Sequence, residues 1–322
     1  MPPEKHLLAV PNVSEGRDRA TVEAVARAFT AQGMARLLDV HSDADHHRSV
    51  FTLAGAQGEL SSALLAGATV AVERIDVGEA RDPAEIGEHP HVGAVDVMPV
   101  VYLSAAQRGA ACAEALVVAH EIGEGLGVPV LLYGELAQGR ARAELRRGGV
   151  ARLAGRLSSG ALRPDFGPSQ LHPTAGATLV AAREPLVAFN LELAPPASVE
   201  DAKRIASLIR EGGSEGLPGV RAIGVRLRRT ALEDGDSRGG PSQARAWGGP
   251  LGETVAQVSV NVERPLDVPL STVVEAVCRH AGVARAELVG LAPRAALEGF
   301  PADVPLVGFD DGVHIIENAL GL

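Results

Sequence analysis

The sequence predicts a mixed α/β protein of the α+β kind, built from two ferredoxin-like βαββαβ domains, each a mainly antiparallel sheet with helices packed on one face. Three observations predict it. Strand-like and helix-like apolar patterns follow each other in the order β-α-β-β-α-β twice along the chain. A stretch rich in Gly and Pro near residues 165 to 178 separates the two runs. The chain has 322 residues, 46% of them hydrophobic, enough to bury two cores of ordinary size.

In the first half, Leu7 to Val13 reads as a strand, Thr21 to Gln32 as a helix, Leu37 to His41 and Ser49 to Leu53 as strands, Leu60 to Val72 as a helix and Val95 to Leu103 as a strand. A further helix around Ala110 to Ile122 and a strand over Val128 to Tyr133 follow. In the second half, Leu186 to Leu191 is strand-like and bounded by the Ala-Pro-Pro turn at 195 to 197. Ser198 and Asp201 have capping-box spacing, Ala202, Ile205, Leu208 and Ile209 form a helical stripe, and Gly212-Gly213 ends it. Strands over Val220 to Leu227 and Val255 to Val262, a helix marked by Leu270, Val273, Val274 and Val277, and a strand over Glu287 to Leu291 complete the second unit. The resulting domains are 1–177 and 178–322.

Several function classes are disfavoured. Thirty basic against forty acidic residues give a net charge of −10, which opposes the phosphate attraction that nucleic-acid binders depend on. No apolar run approaches the roughly 20 residues needed to span a bilayer, and the N-terminus lacks a secretory pattern, so a cytoplasmic protein is expected. Cys112 and Cys278 have no CxxC companion and fall in apolar helical patterns, as core thiols do. The loop from Glu233 to Pro250, with the lone Trp247, has no P-loop spacing and reads as a surface insertion. Arg140, Arg142, Arg146, Arg147, Arg152, Arg156 and Arg163 lie in a stretch whose one acid is Glu144. That cluster is either a solvated helix face or a field that attracts a polyanionic small molecule.

Half of the ten histidines fall in two short polar segments at strand ends: His41, His46 and His47, then His89 and His91. Such clustering points to a site. Pro90 biases His89 toward extended backbone, the fixed placement that a general acid-base group needs; a plain turn into the next strand is the alternative. His41, Asp43, Asp45, His89 and His91 would also serve as metal ligands, but no HExxH or calcium-loop spacing accompanies them, and no metal is expected.

The segments Val10-Pro11-Asn12-Val13-Ser14-Glu15-Gly16-Arg17, Asp45-His46-His47-Arg48-Ser49-Val50 and His89-Pro90-His91-Val92-Gly93-Ala94-Val95-Asp96-Val97 resemble the signature segments of glutamate formimidoyltransferases. Pro164 to Pro168, Gly176-Ala177-Thr178, Ala188 to Leu191, Ala256 to Asn261 and Glu287 to Leu291 continue the resemblance in the same order, from about residue 7 to about 297. The resemblance implies transfer of a formimino group from N-formimino-L-glutamate to tetrahydrofolate as co-substrate, giving 5-formimidoyltetrahydrofolate and L-glutamate, the one-carbon step of histidine catabolism. It implies that His89 is the catalytic histidine and that Gly167-Pro168-Ser169-Gln170-Leu171-His172-Pro173-Thr174-Ala175-Gly176 lies against folate. It further implies a homodimer, a ligand groove between the domains, and transfer without the cyclodeaminase activity carried by some relatives. His41, His47 and His91 depart from the family pattern, where an aspartate, an asparagine and an arginine are usual.

On this reading His41 or Asp39 orients the imidazole or the substrate, Arg48 recognises a carboxylate with its planar fork, and Asn12, His47 and His91 contact ligand. Two alternatives stay open: a non-catalytic folate-binding relative, and a metal-dependent amidohydrolase acting on a formimino compound.

Overall fold

The computed structural model describes residues 6–31, 33, 35–44, 46–78, 91–228 and 254–322. It divides into two compact units, Met1–Arg183 and Glu184–Leu322. His89, Pro90, Asp45 and the loop carrying Trp247 lie outside the described residues.

The first unit runs β1 (His6–Ala9), β2 (Asn12–Val13), α1 (Arg19–Thr30), β3 (Ala35–Asp43), β4 (Arg48–Ala56), α2 (Leu60–Arg74), β5 (Val95–Val101), α3 (Arg108–His120), β6 (Val130–Leu132), α4 (Arg142–Arg146), α5 (Gly149–Ser158) and β7 (Thr178–Arg183). Strands β1 and β2 are separated at Val10-Pro11, and each lies antiparallel to both β4 and β5. Strand β3 continues the sheet beyond β4, and on the other side β7 and then β6 run parallel to β5. This is the βαββαβ order enlarged by two strands.

Sequence patterning explains the packing. In α1, Asp18 caps the first turn by accepting from the Ala20 N–H, and Val22, Val25 and Phe29 recur at helical period and are buried. Phe29 meets Phe51 of β4 with ring centroids 5.3 Å apart, a pair whose burial contributes about 1.5–3 kcal/mol per side chain. These residues join α2 and α3 in one core against the sheet. On the opposite face, Leu145, Leu153 and Leu157 of α4 and α5 pack on Val97, Leu131 and Leu179. Helices therefore cover both faces at the β5-β7-β6 end, an arrangement that the arginine-rich composition of α4 and α5 conceals.

The second unit runs β8 (Val187–Leu193), α6 (Val199–Ile209), β9 (Val220–Arg228), β10 (Thr254–Val262), α7 (Leu270–Cys278), β11 (Val283–Val289), β12 (Leu306–Val307), α8 (Asp311–His314) and α9 (Ile316–Leu320). Its sheet order is β12-β11-β8-β10-β9, antiparallel except for β12 on β11. The Ser198–Asp201 capping box forms, and Ile205, Ile209, Val273 and Val277 close over Phe189, Leu191 and Val258.

Three readings change. The units part after Arg183, six residues past the expected 177/178 boundary, because β7 is bonded to β5 and β6 and so belongs to the first sheet. Strand β11 begins at Val283 rather than Glu287, since Val283 already pairs with Leu193. Cys278 is exposed at the end of α7 and is no core thiol, whereas Cys112 is partly buried and packs against the first core. Among the described residues, no helix is long and apolar enough to cross a membrane.

Candidate active site

Residues directly opposite each other in a sheet share a face, and alternate residues of a strand share a face. His41 of β3 pairs with Val50, Val50 with Asn12, and Asn12 with Val97. Asp39 pairs with Thr52 and Asp43 with Arg48 in the same register. Asn12, Asp39, His41, Asp43 and Arg48 are therefore brought to one face. It is the face turned away from α1, α2 and α3, because the intervening Val40 and Phe51 are in the core beneath those helices. Beyond Val97 the same face is covered by α4 and α5.

The turn between β3 and β4 is held by its own side chains and by contacts with the loop after β2. Asp43 Oδ1 accepts from the His46 N–H at 2.8 Å, and its other oxygen lies 3.8 Å from His46 Nε2. Burial pushes the Asp43 carboxyl up, but His46, its backbone N–H, His41 and Arg48 together hold it below the usual carboxylate range. Gly16 fits here because a Cβ would lie 2.2 Å from the Asp43 carbonyl. His47, buried and at φ 47°, is placed apart from the row: the Gly16 N–H donates to its Nδ1 at 3.2 Å, with Glu15 Oε1 3.4 Å from the same nitrogen. Ser49 Oγ donates to the Glu15 carbonyl at 2.6 Å and completes the contact.

The second group of residues assembles around the turn His91 to Ala94. The Ala94 N–H donates to the Ala175 carbonyl and the Ala177 N–H to the Val92 carbonyl, each at 2.9 Å, and Gly93 bridges Gly176. Gly176 has φ 67°, and a Cβ there would lie 2.3 Å from the Val92 carbonyl. The stretch 167–176 is thus a loop whose returning end is seated on this turn. His172 exchanges backbone hydrogen bonds with Gly176, and its Nδ1 accepts from the Ala175 N–H at 3.0 Å. Pro168, Ser169 and Gln170, at the outer part of the loop, are exposed. Val77 donates to the Thr174 carbonyl at 2.8 Å, so the chain on either side of residues 79–90 is bonded to this one loop.

The link between the two groups is Ser14, whose hydroxyl donates to the Gly93 carbonyl. Sequence reasoning assigned no role to Ser14 or Asp96, and counted Arg146 only as one member of the arginine cluster. Asp96, buried in the apolar strand β5, accepts the Val92 N–H at 2.9 Å and is ion-paired with Arg146 of α4. A lone carboxylate inside Val-Asp-Val-Met-Pro-Val-Val was the available signal, since such a group demands a partner. Arg146 is buried, not a solvated face, and Arg140 pairs with Asp165 at 2.9 Å. Among the described residues, no cluster of three or more His, Cys, Asp and Glu side chains is arranged to hold a metal ion.

Residues 6–183 match the formiminotransferase domain, N-terminal subdomain. Over 321 residues the chain is 34% identical to the glutamate formimidoyltransferase of Streptococcus pyogenes serotype M1, covering 97% of each chain. It is 32% identical to the glutamate formimidoyltransferase of Thermoplasma acidophilum, over 97% of this chain and 96% of that one. It is 33% identical to the formimidoyltransferase-cyclodeaminase of Sus scrofa, over 97% of this chain but 56% of that longer protein. The signature segments, their order along two βαββαβ units and these likenesses agree, and the chain belongs to the formiminotransferase family.

Proposed function

We propose that this chain is a glutamate formimidoyltransferase that moves the formimino group of N-formimino-L-glutamate to N5 of tetrahydrofolate. The observation that carries the reading is the seating of loop 167–176 on the turn His91 to Ala94 and on Val77. The loop that would face folate is thereby bonded to the chain on both sides of the segment that contains His89.

N5 attacks the amidine carbon, a tetrahedral intermediate forms, and the carbon–nitrogen bond to glutamate breaks. The proton lost by N5 goes to the departing glutamate nitrogen. An imidazole, whose reference pKa of about 6.5 lets it both take and give a proton near neutral pH, suits that transfer, and it is assigned to His89; it is worth about 10² to 10⁴ in rate for a positioned group. Holding two substrates in register supplies a further large factor, with effective molarities of about 10⁵ M or more. Arg48, on the same sheet face as His41, is assigned a substrate carboxylate; Asn12, Asp39 and His91 are assigned ligand contacts. His47 is assigned the support of the Glu15-Gly16 loop against which it packs. A homodimer is the assembly that goes with this reading, and sedimentation of the purified chain checks it.

The deciding experiment follows loss of N-formimino-glutamate with and without tetrahydrofolate, in the presence and absence of chelator. Loss that requires folate and ignores chelator is expected. Folate-independent, chelator-sensitive loss would make the chain an amidohydrolase, and folate binding without any loss would make it a binding protein.

A further inference from the structure

Strand β5 buries every residue from Val95 to Val101, so the charge of Asp96 has to be answered from within the protein. It is answered on both oxygens. Oδ1 accepts from the Val92 N–H at 2.9 Å, and Oδ2 accepts from Arg146 Nη2, which reaches it from α4, 50 residues along the chain. Arg146 is itself 8% exposed. Burial, and after it the charge of Arg48, pulls its guanidinium down to about 9, which still leaves a cation at neutral pH to oppose Asp96.

What Asp96 holds is the seat of the loop. Val92 accepts from Ala177, Gly93 bridges Gly176, and Ala94 donates to Ala175. There is no slack in this contact. A Cβ at Gly93 would lie 1.9 Å from the Ala177 carbonyl, so the two backbones touch and a shift of Val92 is passed to the loop.

We infer that Arg146 is a positioning residue for loop 167–176: by fixing the Asp96 carboxylate it fixes Val92, and through the turn at Val92 to Ala94 it fixes the returning end of the loop. The inference rests on the reading of that loop as the folate segment. A guanidinium suits the task because it keeps its charge when buried, whereas a lysine ammonium is neutralised more readily there. A pair that served stability alone is replaceable by apolar groups at little cost. The inference therefore requires an effect on folate binding beyond any effect on folding.

The test uses the full chain as Arg146→Met, Arg146→Lys and the double variant Asp96→Asn/Arg146→Met, with tetrahydrofolate titrated by calorimetry under reductant. Arg146→Met is expected to weaken tetrahydrofolate about tenfold or more, while the KM for N-formimino-glutamate changes less than about twofold. The double variant keeps an amide oxygen for Val92 and removes both buried charges, so it is expected to restore affinity to within about threefold. Arg146→Lys should fall between wild type and Arg146→Met, and serves with the double variant if Arg146→Met does not fold. Wild-type folate affinity in folded Arg146→Met overturns the inference, as does an equal loss for both substrates that tracks the melting temperature. No recovery in the double variant overturns it too, because Arg146 would then act without Asp96. If the wild type binds no tetrahydrofolate, the folate reading fails alone. Hydrogen exchange of the Val92 amide, expected to be slow in wild type, faster in Arg146→Met and slow again in the double variant, then tests the link by itself.

Discussion

The Ser14 hydroxyl donates a 2.7 Å hydrogen bond to the carbonyl of Gly93, 79 residues further along the chain, and the Ser14 N–H donates to the neighbouring Ala94 carbonyl at 2.9 Å. The loop after β2 is thereby tied to the turn on which loop 167–176 is seated. Ser14→Ala keeps the backbone bond but leaves the buried Gly93 carbonyl without the hydroxyl. A loss of about 1–3 kcal/mol is expected from the denaturant midpoint. An unchanged midpoint would show that this bond contributes nothing.

Two glycine substitutions should act in opposite directions. At Gly93 a Cβ meets the carbonyl oxygens of Ala177 and Ala175 at 1.9 and 2.7 Å, backbone that cannot rotate aside. Gly93→Ala should cost about 3 kcal/mol or more and impair tetrahydrofolate binding. Gly109, inside α3, has nothing within 4 Å of its Cβ position and an ordinary φ. Gly109→Ala should raise stability by about 0.4–1 kcal/mol, by restricting the unfolded chain. Thermal melts of the two variants compare them directly.

Asp43 makes stability depend on acid. Its folded-state pKa lies below the unfolded value of about 3.9, opposed by burial but set by His46, His41 and Arg48. The unfolded chain therefore binds the proton first, and the stabilisation is complete above about pH 4 and lost as pH falls through the folded value. Asp43→Asn should cost about 1–3 kcal/mol at pH 7, and the gap to wild type should close in acid. A gap that stays constant from pH 7 to pH 2 would rule this out.

His89 and His41 separate two locations for the chemistry. A proton shuttle acts in the transition state, so His89→Ala should lower kcat by about 10² or more with tetrahydrofolate affinity nearly unchanged. His41→Ala should change turnover less, since His41 orients. Near-normal turnover in His89→Ala with none in His41→Ala would move the catalytic centre to β3.

The amino-acid sequence by itself determined the elements that depend on neighbours a few residues away. The Ser198–Asp201 box and apolar stripe of α6, and the apolar runs read as strands and helices in each half, are local features, and so the repeated β-α-β-β-α-β order was legible, as were the signature segments that carry the family. The tertiary structure alone decided which of these features meet. Thr178 to Arg183 looked like the far side of a linker until its parallel pairing with β5 placed it in the first sheet. Arg146 looked like one cation of a solvated cluster until α4 packed across β5 and set it against Asp96. Asn12, Asp39, His41 and Arg48 share a face only through the register of three strands. Helical period and capping act over one or two turns of chain, whereas register and the covering of a sheet face are fixed by contacts between segments tens of residues apart, which no local pattern encodes.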